Sequence, residues 1–160
     1  MRLDTAESRR DSLTIHADHS VWIPTPYISF TTSPERIESL VRERRRRGPQ
    51  TLTVIDPDRR MEEGLPILRM KTEMDHYGIR DPYSRWKKHY MDEYICLWKV
   101  SKPEIVGHCD WDDLVENTTD WYTFIKLNYS IYQTEQKLAH LNDLVRDVAR
   151  PPIQPKRFTC

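Results

Sequence analysis

Apolar and polar positions alternate in short blocks through the first two thirds of the chain and settle into one long stripe in the last third. The segment Tyr27–Thr31 carries aromatic and β-branched residues and reads as a strand. Ser33 as N-cap and Pro34 as first helical residue then open a helix, with Ile37, Leu40 and Val41 on one apolar face. Arg42 and the arginines at 44–47 end that helix, where cations suit the negative end of its dipole, and Gly48-Pro49 stops it. A second strand follows at Thr51–Ile55, closed by Asp56-Pro57-Asp58. Residues 56–85, with Gly64, Pro66, Gly78 and Pro82, read as a long irregular region holding a short strand at 67–70. Residues 86–91 read as a helical turn with Trp86 and Tyr90 on one side.

The most apolar run, residues 94–100, reads as a central strand, and residues 104–107 as the last strand. Asp110 to Leu114 reads as a capped helical turn. Residues 1–20 are polar and weakly patterned, with a short extended piece expected at 14–17. From Thr119 the spacing changes. Trp121, Phe124, Ile125, Asn128, Ile131, Tyr132, Glu135, Leu138, Leu141, Val145 and Val148 recur every three or four positions until Pro151-Pro152. That is a long amphipathic helix, reaching roughly 40 Å at ~1.5 Å per residue. A domain of this size does not need such a length for itself. Either the helix packs across the whole body, or residues 121–148 meet a protein partner or a second copy of the chain. The pattern thus divides the chain into an α+β domain at 1–118, a long helix at 119–150 and a tail at 151–160.

The 160 residues suit one domain with a real core. Lys+Arg and Asp+Glu stand at 25 each, a balance that argues against a dedicated nucleic-acid binder. The basic run at 42–47 reads as a solvated helix end, and Asp110, Asp112, Asp113 and Glu116 form an acidic counterpart. Cys96, Cys109 and Cys160 are odd in number and lack metal-ligand spacing, which points to a reducing, intracellular and cytoplasmic setting. The charged N-terminus has no apolar signal region, and no apolar run approaches the ~20 residues of a membrane span. The four glycines form no phosphate loop, and His76, His89, His108 and Cys109 form no zinc signature, so no metal is expected.

Two places carry candidate chemistry. One is the hydroxyl cluster Ser29, Thr31, Thr32 and Ser33 where the first strand turns into its helix. The other is Glu93 at the start of the apolar strand. A carboxylate on a rigid strand can hydrogen-bond a ribose hydroxyl and stabilise positive charge on the sugar, and neighbouring hydroxyls can hold it in place. The solvated strand end and the local helix cap are the plainer roles for the same residues.

Residues 26–32 (Pro-Tyr-Ile-Ser-Phe-Thr-Thr), residues 92–98 (Asp-Glu-Tyr-Ile-Cys-Leu-Trp) and Glu104-Ile105-Val106 with the turn at 110–114 resemble ADP-ribosyltransferases. More narrowly, they resemble a domain of filamentous-fungal proteins of unassigned function with an ADP-ribosyltransferase-like outline. The resemblance covers about residues 14–116. It implies a split β-sheet core, a nucleotide cleft between the two half-sheets, and NAD as ADP-ribose donor to an unknown acceptor. Glu93 and Ser29 are the catalytic candidates on this reading; His16, His19, Tyr27, Thr31 and Thr32 are candidates for holding NAD. His16 or His19 would stand where the family has its first-strand arginine or histidine. The chain departs from the family in having no arginine on such a strand and no Glu-x-Glu, since Tyr94 and Ile95 follow Glu93. Two other readings stand beside it. One is a catalytically inactive interaction module working through the long helix; the other is a small biosynthetic isomerase or cyclase with an aromatic-lined cleft.

Overall fold

The computed structural model describes residues 3–84 and 90–149. Contacts divide the chain into two compact units, Met1–Leu114 and Val115–Cys160, so the division falls inside the short helix after the last strand. The fold is mixed α and β, with small sheets and a C-terminal helix. In chain order the first unit holds α1 (Ala6–Ala17), β1 (Tyr27–Thr31), α2 (Pro34–Arg44), β2 (Thr51–Ile55), α3 (Pro57–Glu62), β3 (Leu68–Arg69), α4 (Met70–His76), β4 (Glu93–Leu97) and β5 (Ile105–Asp110). The helix α5 (Trp111–Asn117) straddles the division, and α6 (Trp121–Ala149) follows.

The strands form two separate antiparallel sheets, one ordered β1-β4-β3 and the other β2-β5. In the first, Tyr27 pairs with Leu97, Ser29 with Ile95 and Thr31 with Glu93. Side chains alternate between faces, so Tyr27, Ser29 and Thr31 share a face with Glu93 and Ile95. That face meets the core: Leu13 and Ala17 of α1, Met70 and Met74 of α4, Ile79, Tyr90 and Ile95, with Tyr27, Leu68 and Tyr77 packed against them.

Several elements differ from their sequence-based expectation. Residues 14–17 are the last turn of α1, not an extended piece. The helix was hard to read because few apolar residues, chiefly Leu13 and Ala17, tie it to the core; its cap is a reciprocal pair between Thr5 and Ser8. The stretch 56–85 is far from irregular, since Asp56 caps α3 through the Asp58 amide and α4 follows directly on β3. The strand expected at 67–70 is Leu68–Arg69, because Met70 already begins α4. The strand expected to reach residue 100 ends at Leu97. Trp98 donates its amide to Pro26 O at 2.7 Å as a last rung, but Pro26 has no N–H to return and Trp98, at φ +68°, turns the backbone out of the strand. The last strand is Ile105–Asp110, longer than expected, and Asp110 caps α5 through the amides of Asp112 and Asp113. Most of the turn expected at 86–91 and the whole tail at 151–160 lie outside the described residues.

One buried ion pair fastens the first unit. Arg60 of α3 donates to Glu104 Oε2 at 2.8 Å and to the carbonyls of Lys99 and Leu97 at 3.0 and 3.1 Å. Glu104 Oε1 takes the Ser101 amide at 2.9 Å. Burial would raise the Glu104 pKa, but the Ser101 amide and the guanidinium outweigh it and leave the carboxyl below its usual range. The pair ties α3 to the end of β4 and to the turn that begins β5.

In the second unit, Asp120 caps α6 by accepting the Thr123 amide and hydroxyl. Phe124, Leu127, Ile131, Leu138 and Leu141 lie exposed along this helix, while Tyr122, Ile125, Tyr129 and Tyr132 are more sheltered. No described helix is long and apolar enough to cross a membrane.

Candidate functional site

The end of α1, the middle of β1 and the start of β4 meet at a chain of short hydrogen bonds. Because Thr31 pairs with Glu93, Ser29 stands diagonally across from Glu93 on the same face. Ser29 Oγ donates to Glu93 Oε1 at 2.6 Å. His16, in the last turn of α1, places Nε2 2.9 Å from Ser29 Oγ, and its Nδ1 is 2.8 Å from Thr25 Oγ1. Glu93 is only 7% exposed, and a carboxylate so far from water needs donors nearby. Ser29 supplies one, and Oε2 takes no hydrogen bond from the other described residues. Burial, and after it the neighbouring His19, push the His16 pKa down to about 4, so the ring is neutral at pH 7.

The supporting parts are local. Helix α1 presents Leu13 and Ala17 to the core, which fixes the rotation of the helix and hence the aim of His16. The Tyr90 hydroxyl donates to Ala17 O at 2.7 Å and ties down the helix end. Burial raises the Tyr90 pKa, so its hydroxyl stays a donor. Thr25 precedes Pro26, which favours the extended backbone that carries its side chain beside His16.

The other predicted site residues fall in different places. Tyr27 is half-buried in the core edge, with its ring 5.3 Å from that of His16. Thr31 Oγ1 accepts the Ser33 amide at 3.1 Å and so serves the turn into α2. Thr32 is exposed. His19 lies past the end of α1, stacked on Tyr83 with ring centroids 5.9 Å apart and 6.2 Å from Tyr90. Neither histidine stands on a strand: the first-strand position expected for them is the end and exit of a helix. The geometry therefore brings together His16, Ser29 and Glu93, and leaves Thr32 and the nearby His19 outside their hydrogen-bonded chain. All three lie on the face of the first sheet that is turned to α1.

Thr25 was absent from the sequence-based site. Its signal was the Pro24-Thr25-Pro26 frame, which fixes the backbone but says nothing about a partner nine residues earlier. An open cavity of about 430 Å³ elsewhere is lined by Arg10, Thr14, Gly78, Ile79 and Arg80, none of them from the hydrogen-bonded chain. Among the described residues no group of three or more His, Cys, Asp or Glu side chains could hold a metal ion.

No curated protein and no solved structure matches the chain. A family model does, over residues 2–114, ending at the residue where the first compact unit ends. On that match, which spans well over half of its length, the chain belongs to the family described as a domain of unknown function, DUF7587.

Proposed function

We propose that this domain binds a nucleotide of the NAD type over β1 and β4 and transfers its ADP-ribosyl group to an acceptor. The observation that supports this reading is the Ser29–Glu93 hydrogen bond, made on one face of two paired strands with His16 against it. NAD, as substrate, would supply the ADP-ribosyl group and the nicotinamide leaving group. Glu93 fits a ribose in chemical type: one oxygen is held by Ser29, and the other is uncommitted among the described residues. Its carboxylate would accept from a ribose hydroxyl and stabilise positive charge developing on the sugar. Ser29 would keep that carboxylate aimed, and His16 would keep Ser29 aimed. The resemblance to ADP-ribosyltransferases noted in residues 26–32 and 92–98 gives the same assignment, and the fungal setting belongs to this proposal too. The test is nicotinamide release from NAD by the purified protein beside its Glu93→Gln variant. Release that depends on Glu93 supports the reading, and equal traces from both proteins overturn it.

A second reading rests on α6. Its exposed apolar residues Phe124, Leu127, Ile131, Leu138 and Leu141 follow heptad spacing, and Val145 and Val148 continue it in the sequence. A 3.5-residue seam matches another helix of the same period, and a second copy of this chain supplies one. The flanking Asn128, Ser130, Glu135 and Lys137 oppose no like charges in a parallel pair. Sedimentation equilibrium across a concentration series tests this. A dimer that Leu127→Glu with Leu138→Glu dissociates supports self-association, and a monomer at all concentrations removes it.

A further inference from the structure

We infer that residues 21–23 and the arginine run at 42–47 form one surface that docks the domain on an anionic lipid bilayer, seated in the headgroup layer without crossing it. Val21, Trp22 and Ile23 are consecutive apolar residues in the link between α1 and β1, and they are 37%, 72% and 54% exposed. Single exposed apolar side chains are ordinary; three in a row with no charge among them make an uncovered patch. Arg42 and the arginines at 44–47 are all exposed as well. Among the described residues none of these five makes an ion pair. The two features touch, for Arg47 lays its guanidinium over the Trp22 ring, 4.5 Å from the centroid.

The chemistry of the patch selects its partner. Guanidinium groups with no carboxylate of their own match the phosphates and carboxylates of anionic headgroups. A tryptophan between two aliphatic residues suits the boundary of headgroups and acyl chains, where an amphipathic ring keeps one side apolar and one wet. Single-stranded nucleic acid would use the same charges but stacks its bases on open aromatic faces. Val21 and Ile23 offer no such face, and Arg47 covers one side of Trp22. The even charge of the whole chain does not oppose this docking, because at physiological salt a local cluster acts over only about 8 Å.

Flotation of the full chain through a density gradient tests the inference. Vesicles of pure phosphatidylcholine are set beside vesicles in which about one lipid in three is phosphatidylserine. The wild type should float with the anionic vesicles alone, and less of it at high salt. Trp22→Ala combined with Ile23→Ser should lower partitioning about 10-fold. Arg44→Gln and Arg46→Gln should each lower it about fivefold. All four side chains are exposed, so the variants should fold, and circular dichroism checks that they do. If the paired apolar variant unfolds, the arginine variants decide. No flotation with anionic vesicles, equal flotation with both kinds, or flotation that no folded variant reduces overturns the inference. Binding to a single-stranded oligonucleotide without binding to vesicles would assign the patch to nucleic acid and overturn it too. None of these results bears on the nucleotide reading, which nicotinamide release tests separately.

Discussion

Ser29 and Glu93, 64 positions apart in the chain, are joined by a 2.6 Å hydrogen bond in which the hydroxyl donates and the carboxylate accepts. The contact follows from strand register. Thr31 lies opposite Glu93, and two residues along β1 brings Ser29 onto the same face with its side chain leaning towards the acid. A slip of one residue would send Ser29 to the other face and break its bond to Glu93.

Removing that hydroxyl should therefore cost stability as well as any activity. Ser29→Ala leaves a charged, nearly buried acceptor without its donor, which costs about 1–3 kcal/mol. Ser29→Thr, which keeps the hydroxyl, should cost less. Urea denaturation at pH 7 measures both, and an equal loss in the two variants would assign the effect to packing instead.

The Arg60–Glu104 pair should behave as a buried charge pair. Arg60→Leu strands Glu104 in the interior and should cost about 3–5 kcal/mol. Adding Glu104→Leu removes the uncompensated charge, so the double variant should be more stable than Arg60→Leu alone. A double-variant cycle in urea checks this; strictly additive losses would mean that the two side chains do not depend on each other.

His16 gives the protein a pH dependence with a definite sign. Its pKa is about 4 when folded, against 6.5 for the ordinary ring. Between those values the unfolded chain binds the proton and the folded one does not. Stability from this residue is thus full above about pH 6.5 and is lost as pH falls towards 4. The loss should be about 1–3 kcal/mol, since the ring is partly in contact with water. His16→Gln, which keeps a donor near Ser29, should flatten the urea midpoint between pH 7 and 5 relative to wild type.

Trp98 is 62% exposed and held at φ +68°, a conformation that costs a residue with a Cβ about 1–2 kcal/mol. Little apolar burial is lost by removing it. Trp98→Gly should leave stability unchanged or raise it by up to about 1 kcal/mol, the relief being set against the added freedom of the unfolded chain. Trp98→Val should lower stability, because a β-branched residue fits this conformation worst. Thermal melts of the two variants decide it.

The parts of the fold legible in the sequence are those signalled locally. Tyr27–Thr31 and Thr51–Ile55 were bounded by prolines and caps and appear with the same limits. The helix opened by Ser33 and Pro34 likewise follows its cap, for the Ser33 hydroxyl takes the Arg36 amide. What was not legible depends on tertiary contacts. Helix α1 has a weak stripe and owes its place to Leu13 and Ala17 reaching the core. The strand ends at Trp98, which turns to φ +68° opposite Pro26, a residue 72 positions earlier with no N–H for the ladder, and no local pattern announces that pairing. In the candidate site, Glu93 and Ser29 stood out through their strand positions, and His16 through its type. Thr25 did not, because its partner lies nine residues earlier in the chain.

The most direct test of the account is the melting temperature of the full chain with millimolar NAD, beside Glu93→Gln and the apo protein. Binding at 100 times the dissociation constant adds about 2.7 kcal/mol, so the wild type should melt several degrees higher and the variant should respond less. A wild-type melt that NAD leaves in place would contradict a nucleotide site at Ser29 and Glu93.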